Sequence, residues 1–318
     1  MDRLSVMRLF VDAATLGSFS AAGRKQGLSP AASSACIQRL EAALKVKLFE
    51  RTTRSLRLTE EGELYRLYGQ QVLDLMNEAD HALQQGKRLV QGTVTISAPS
   101  DLGRNLLLHY LDEFRRRHPD VRFVLSLTDG TANLLQDGID VAIRYGQPAD
   151  SSMVARPLFA NRRVICASPD CIARYGRLQS PEQLADLPTL VLTTAHWTVN
   201  EWRYRAGCKG GEAGTIKSVR LTNTQQSNDG EVIRKWALQG HGFARKSWLD
   251  VSADVQAGRL VTVLDDFFAD PAPLNILYHQ NRFQAPRIRL LVEFLQLCFE
   301  ARAAELQASV EAPSAGAQ

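Results

Sequence analysis

One helical face near the amino end gathers Ala31, Ser34, Ala35 and Gln38, and the stretch that follows places Arg51, Arg54 and Arg57 at every third position. The carboxamide of Gln38 can pair with an adenine edge, and small neighbours let a helix backbone sink into a major groove. Guanidinium groups on a following loop suit phosphate or a narrow minor groove. Thr52 and Thr53 stand between the arginines as further donors to phosphate. This is a chemistry for gripping duplex DNA.

The surrounding pattern supplies the elements that such groups need. Leu4, Met7, Phe10, Val11 and Ala14 recur at three- and four-residue steps and predict a first helix with one buried face. Gly17 ends it, and Ser18 or Ser20 caps a second helix that runs to about Gln26, where Gly27 offers a left-handed turn. Ser29 and Pro30 then open a third helix as N-cap and first residue. On its wheel Ile37, Leu40 and Leu44, with Ser33 and Cys36 beside them, turn toward the other two helices. Phe49, Leu56 and Leu58 alternate with arginines as a β-wing. A single helix-turn-helix pattern also fits a plain helical hairpin, so charge is a useful second test. Residues 1–59 carry ten Lys/Arg against four Asp/Glu, a surplus of six, whereas the whole chain is +4. The basicity is local, as a polyanion footprint requires.

Thr59 caps a further helix with Glu60 and Glu61 in its first turn. Along it Tyr65, Tyr68, Val72, Leu75, Ala79 and Ala82 follow heptad steps, which predicts pairing with a second copy of the chain. Gly86 and Gly92 bracket its exit. Beyond them "TVTISAP", "LGRNLLLHYLDEFRRRHP", "VRFVLSLT", "TANLLQDG" and "IDVAIRYG" alternate strand and helix, implying a mostly parallel sheet covered by helices. "RRVICASP" leads into a second set that includes "TLVLTT", "IKSVRLTN", the helix "DGEVIRKWALQG" and "GFARKSW". "RLVTVLDDF", "PLNILYHQ" and an amphipathic helix from "APRIRLL" are read as a return to the first set.

Taken together, "GSFSAAGRKQGLS", "IQRLEAAL" and "KLFERTTRSLRLTEEG" resemble the amino-terminal domain of LysR-type transcriptional regulators, and "PDVRFVLSLTDG", "DGIDVAIRYG" and "NDGEVIRKWALQGHG" resemble the effector-binding half of that family. Ser33 stands where the family usually has an apolar β-branched residue, and is expected half-buried with its hydroxyl bonded to the Ser29 carbonyl. Ala35 stands where Arg or Lys is frequent. The resemblance implies an all-α winged helix-turn-helix over 1–59 and a linker and dimerisation helix over 60–91. A two-lobed periplasmic-binding-protein-like α/β domain follows over 92–302, with lobe I at 92–162 and 267–302 and lobe II at 163–266, and then a tail over 303–318. It also implies a homodimer or homotetramer on a pseudo-palindromic promoter site, with RNA polymerase as a further partner and a small-molecule effector, an organic acid among the options, between the lobes. Mapped onto this chain, the effector residues are Pro99, Ser100, Thr128, Arg144, Thr193, Thr194, Asn228, Asp229 and Phe243, with Asp101 and Asp129 nearby. Ser100 and Asn228–Asp229 equally suit helix capping, and Arg144 an inter-lobe ion pair.

The 318 residues are 45% hydrophobic, with a mean hydropathy of −0.19, and no apolar run approaches the length of a membrane span. "MDRLSVMRLF" lacks a basic start followed by a long apolar core, so the expected location is the cytoplasm. Cys36, Cys166, Cys171, Cys208 and Cys298 are scattered, and neither they nor the six histidines form a metal-ligand pattern. No cofactor and no catalytic residue is expected. Two alternatives remain at this point: an enzyme or transport protein using the two-lobed half, and a thiol-based regulator working through Cys166 or Cys208.

Overall fold

The computed structural model describes residues 2–51, 56–85, 90–130, 138–146, 153–193, 200–206, 215–279, 283 and 285–311, apart from the side chains of 51, 71, 74, 75, 77–85 and 309–311. The chain divides into two compact units, residues 1–89 and 90–318.

The first unit opens with α1 (Arg3–Leu16), α2 (Phe19–Lys25) and α3 (Pro30–Leu44). Each begins on a side-chain cap: Asp2, Ser18 and Ser29 accept N–H bonds from Ser5, Ala21 and Ala32. Gly17 ends α1 at φ 61°. The core comprises Leu9, Phe10, Val11, Ala13, Ala22, Ile37, Leu40, Leu48 and Phe49. Leu9 and Ala13 lie outside the periodic set read from the sequence. Leu4, Met7 and Ala14 are only half-buried. Strands β1 (Phe49–Arg51) and β2 (Leu56–Leu58) pair antiparallel as the expected wing.

Ser33 is wholly buried, not half-buried. Its hydroxyl donates to the Ser29 carbonyl at 2.9 Å, and it fits because Gly23 faces it: a Cβ on Gly23 would come within 2.0 Å of Ser33 Oγ. A glycine on one helix makes room for a hydroxyl on the next.

Helix α4 (Glu60–Gln85) begins on the wing. Thr59 Oγ1 accepts the Gly62 N–H at 2.9 Å and donates to the Lys47 carbonyl at 2.6 Å. A Cβ on Gly62 would lie 2.0 Å from the Leu48 carbonyl oxygen, a backbone atom that cannot swing away. Gly62→Ala is therefore expected to destabilise the first unit by about 1–3 kcal/mol. Hydrogen exchange resolved by unit checks this: faster exchange in residues 1–89 with the second unit unchanged is the expected result, and unaltered exchange refutes it.

The second unit holds two five-stranded sheets of matching design. The first has the order β4-β3-β5-β14-β6, built from β3 (Gly92–Ala98), β4 (Val121–Leu127), β5 (Val141–Tyr145), β6 (Val154–Phe159) and β14 (Leu274–Tyr278). Here β4, β3, β5 and β6 share one direction, and β14, between β5 and β6, runs against both. The second has the order β11-β8-β12-β7-β13, from β7 (Arg163–Ala167), β8 (Thr189–Leu192), β11 (Thr224–Ser227), β12 (Phe243–Ser247) and β13 (Val261–Val263). Again four strands share one direction, and β7 alone runs against them, pairing antiparallel with β12 and β13. Both sheets are thus mixed. The segment "RLVTVLDDF" belongs to the second sheet, because β13 pairs with β7, so the return to the first lobe comes only at β14.

Helices cover both sheets. Between β3 and β4 run α5 (Ser100–Leu102), a π-helical stretch (Gly103–Leu107) and α6 (Leu108–Arg117), the single helix expected there. Leu107, Leu111 and Phe114 pack with Ile288, Leu291 and Leu295 of α10 (Pro286–Glu311) over Val94, Ile96 and Ile143. Helix α10 runs through residues 303–311, assigned above to a tail, because Leu306 is buried against the same core. Residues 312–318 and the helix expected at "TANLLQDG" lie outside the described residues, save its final glycine. In the second lobe β7 alternates: Ile165 and Ala167 face Leu184, Trp202 and Tyr204, while Val164 and Cys166 face Ile233 and Val251. Helices α7 (Pro169–Tyr175), α8 (Gly230–Leu238) and α9 (Trp248–Gln256) and the hairpin β9 (Glu201–Ala206) with β10 (Thr215–Arg220) complete it.

Candidate functional site

On the first unit, α3 presents Ser29, Pro30, Ala31, Ala35 and Gln38 to solvent, with Ser34 half-buried beside them. Opposite them Ser33, Cys36, Ile37, Leu40 and Glu41 are buried. The residues assigned from sequence to a groove-reading face thus occupy one exposed face of one helix. Arg51 closes β1 but its side chain, with Thr52, Thr53 and Arg54, lies outside the described residues. Arg57 is exposed on β2.

Glu41 is the residue that sequence reading missed. Its Oε1 accepts the N–H groups of Leu48 and Phe49 at 3.0 and 3.2 Å, and Lys47 lies 3.3 Å from Oε2. Burial alone would raise this carboxyl, but the two N–H donors and Lys47 hold it below its ordinary value. It ties the end of the groove-facing helix to the first wing strand.

The heptad assignment on α4 needs correction at Tyr65. Its ring meets Phe10 edge-on at 5.1 Å and covers the unit's own core, as do Gly69, against Met7 and Val11, and the buried Leu73. Residues 62, 65, 69 and 73 therefore form the inward face. Tyr68 and Val72 are exposed as expected, but in a row with Leu64 and Met76 at four-residue steps. The side chains of Leu75 and Ala79 lie outside the described residues.

In the second unit the two lobes meet through a dense polar network. Ser100 at the start of α5 and Asp129 after β4 come from the first lobe; Asp229 and Gly230 at the start of α8 come from the second. The Asp129 carboxylate accepts N–H bonds from Ser100 at 3.3 Å and Gly230 at 2.7 Å, and the Ser100 hydroxyl bonds to it as well. Ser100 Oγ also lies 3.0 Å from Asp229 Oδ1. Asp229 accepts two bonds from Arg104 at 2.9 and 3.1 Å, and caps α8 through Glu231 and Val232. Burial would raise Asp229; Arg104, Ser100 and those backbone donors keep it low.

Beneath this bridge lies Lys246, 5% exposed. Its ammonium donates to Asp101 at 2.5 Å and to the Gly230 carbonyl at 2.8 Å, with Asp250 at 3.6 Å. Burial would lower Lys246, but Asp250 and Asp101 hold it above its usual value. Burial and the repulsion of Asp250 push Asp101 up to about 6, against the pull of Lys246. Tyr145 donates to Asp250 at 2.7 Å, and Arg234 ties Asp254 at 2.6 Å. One strand position away Arg245 turns from the network and pairs with Asp270, as strand alternation requires.

The remaining candidates divide. Pro99 is buried as the N-cap of α5, and Thr128 Oγ1 accepts the Gly130 N–H within a turn. Arg144 donates to Ser97 Oγ at 2.6 Å and to the Ile143 carbonyl, and burial lowers its pKa; no ion pair joins it to a described residue, so the inter-lobe pairing is not seen among them. Thr193 donates its N–H to Ser227, Asn228 is exposed, and Thr194 lies outside the described residues. Phe243 is a correction. Its side chain is fully buried in the second-lobe core, 6.4 Å from the Tyr175 ring, because the first residue of β12 points into that core.

Cys166 is also fully buried, and burial pushes its thiol up to about 12, which leaves almost no thiolate for redox chemistry. Cys208 lies outside the described residues. Among the described residues no group of acids, histidines or cysteines is placed to hold a metal ion, and no helix is long and apolar enough to cross a membrane.

Residues 4–63 match the family model "Bacterial regulatory helix-turn-helix protein, lysR family", and residues 87–298 match "LysR substrate binding domain". The chain is 31% identical to the HTH-type transcriptional regulator DmlR of Escherichia coli K12, across 93% of this chain and 94% of that one. It is 33% identical to the uncharacterised HTH-type regulator YhjC of the same organism, across 93% and 97%. Among solved structures, CrgA of Neisseria meningitidis, described as a LysR-type transcriptional regulator, superposes with a TM-score of 0.60 at 29% identity, covering 94% of this chain and 99% of that one.

Proposed function

The chain belongs to the LysR family of DNA-binding transcriptional regulators, and from that premise we propose how its parts divide the work. The α3 face reads a pseudo-palindromic promoter site: Gln38 takes a base edge, Ala31 and Ala35 allow close approach, and Ser29, Ser34 and the wing residues Arg51, Thr52, Thr53 and Arg54 hold phosphate. The observation that carries this reading is the single exposed row of small residues with Gln38, backed by a buried row on the same helix. The family consists of regulators, and the enzyme reading of the two-lobed half is set aside.

Leu64, Tyr68, Val72 and Met76 form an apolar row on α4, a helix about 39 Å long at 1.5 Å per residue. We assign this row to pairing with a second copy, which would set two reading units on two half-sites as a dimer or a pair of dimers. The effector is a small acid held near Ser100, Thr128, Arg144, Thr193, Thr194 and Asp229, and it changes lobe closure through its differential affinity for two arrangements. The DNA-bound protein works in the cytoplasm, with RNA polymerase as its downstream partner.

Footprinting of the full chain on the promoter upstream of its own gene tests the DNA assignment. Gln38→Ala is expected to lower discrimination at one base pair of each half-site by about 1–3 kcal/mol, leaving the salt dependence unchanged. Equal loss across all sequences would place Gln38 on phosphate instead.

A further inference from the structure

The two helix starts that face each other across the lobes share one carboxylate, and it belongs to the chain. Ser100 opens the unbroken helical run 100–117 and Gly230 opens α8, so their N–H groups have no partner inside the helix and lie at the positive ends of two helix dipoles. Such a pair of donors attracts an anion. Asp129 reaches into this position from the end of β4, accepting from both, while the Ser100 hydroxyl, with one proton to give, lies between Asp129 and Asp229, and its oxygen shares the Gly230 N–H with Asp129 at 2.8 Å. Gly230 makes the approach possible: a Cβ there would meet the Asp129 carboxylate at 3.3 Å and Lys246 Nζ at 3.4 Å. The charged groups around Asp129 come from every packed element: Asp229, Arg104 and Glu231 at the helix starts, Lys246 with Asp101 and Asp250 below, and Arg144 from β5. Arg144 is bonded to a hydroxyl and a carbonyl and so retains capacity for a carboxylate.

We propose that Asp129 is an internal surrogate for the acidic effector, an autoinhibitory contact that latches the two lobes until an incoming carboxylate displaces it from the Ser100 and Gly230 donors. This rests on the reading of an acidic effector given above, and it sharpens that reading. A neutral or cationic compound cannot take over two backbone N–H donors that already serve a carboxylate, so it leaves the latch closed. An anion can exchange with Asp129, and Arg144 is placed to hold the charge that the exchange brings in.

The test is chemical rescue in the full-length protein, with acetate as the probe. Hydrogen exchange at the Gly230 amide and thermal unfolding are followed at pH 7 for the native chain, Asp129→Ala and Asp129→Asn, in potassium acetate against potassium chloride of equal ionic strength. In Asp129→Ala the Gly230 amide is expected to exchange at least tenfold faster, and acetate is expected to return it toward the native rate with a saturable rise in Tm. The native chain should show neither effect, because its own carboxylate fills the place. Native-rate exchange at Gly230 in both variants overturns the latch. Faster exchange without an acetate response overturns the surrogate role and leaves Asp129 a plain helix cap. Should Asp129→Ala fail to fold, Asp129→Asn decides: faster exchange at Gly230 supports the latch and native exchange refutes it. Promoter retardation by the same samples reports the regulator assignment separately, since it needs no acetate response.

Discussion

Replacing Lys246 by methionine is expected to destabilise the second unit by about 3–5 kcal/mol, the usual result of leaving buried charge without its partner. The ammonium faces Asp101 and Asp250, both nearly inaccessible, and also satisfies the Gly230 carbonyl. Methionine fills the space of the stem but supplies no positive charge. The pH dependence carries the sign. The folded-state pKa of Asp101 is raised to about 6, so the fold favours its neutral form, and its contribution is present at low pH and lost as pH rises through that value. Without Lys246 the carboxyl is pushed higher still. The loss should therefore be smaller at pH 5, where Asp101 can take a proton, than at pH 8. Adding Asp101→Asn to Lys246→Met removes one of the stranded charges and should recover a large part of the loss, a coupling that a double-mutant cycle reads directly. Denaturant unfolding at the two pH values is the measurement. A loss below about 1 kcal/mol, or one that ignores pH, would show that the network is not held by this charge.

What could be read from the sequence follows the reach of the signals. The caps Ser18, Ser29 and Thr59, the turn at Gly17 and the strand at "RRVICASP" were legible because each depends on residues within four positions. The exposed α3 row was legible for the same reason, since helical periodicity separates Ala31 and Gln38 from Ile37 and Leu40. Strand order was not: β13 joins β7 and β14 joins β5 through pairings such as Val261 with Ala167 and Leu274 with Tyr145, far apart in the chain. Tyr65 was placed on the wrong face because a straight helix drifts against a strict heptad, so the same steps fit an inward row through 62, 65, 69 and 73. Phe243 was misplaced because "GF" before a strand reads the same whether the first side chain enters the core or the cleft. Adjacent cations such as Arg245 and Lys246 carry no local sign of direction, and their opposite fates follow from which face of β12 each takes.

The second large effect falls on Glu41, whose importance no local pattern announces. Within "IQRLEAAL" it looks like one more surface acid, yet the chain turns back after α3 and lays the N–H groups of Leu48 and Phe49 on its carboxylate. Glu41→Ala leaves two buried donors without an acceptor, at roughly 1–3 kcal/mol each, so a loss of about 3 kcal/mol in the first unit is expected. Glu41→Gln keeps one carbonyl oxygen for those donors and should lose about half as much. The folded-state pKa is depressed, so the stabilisation is complete above the ordinary value near 4.5 and disappears as pH falls through the lower folded value. Both variants should therefore lie closest to the native chain in acid and diverge from it toward neutrality. Because this carboxylate fixes the wing to the helix bearing Gln38, the Ala variant should also lose promoter affinity without touching DNA. Hydrogen exchange at the Leu48 and Phe49 amides, read beside gel retardation, separates the possibilities. Fast exchange with weakened retardation is the expected pair; native exchange at both amides would show that the carboxylate does not hold the wing.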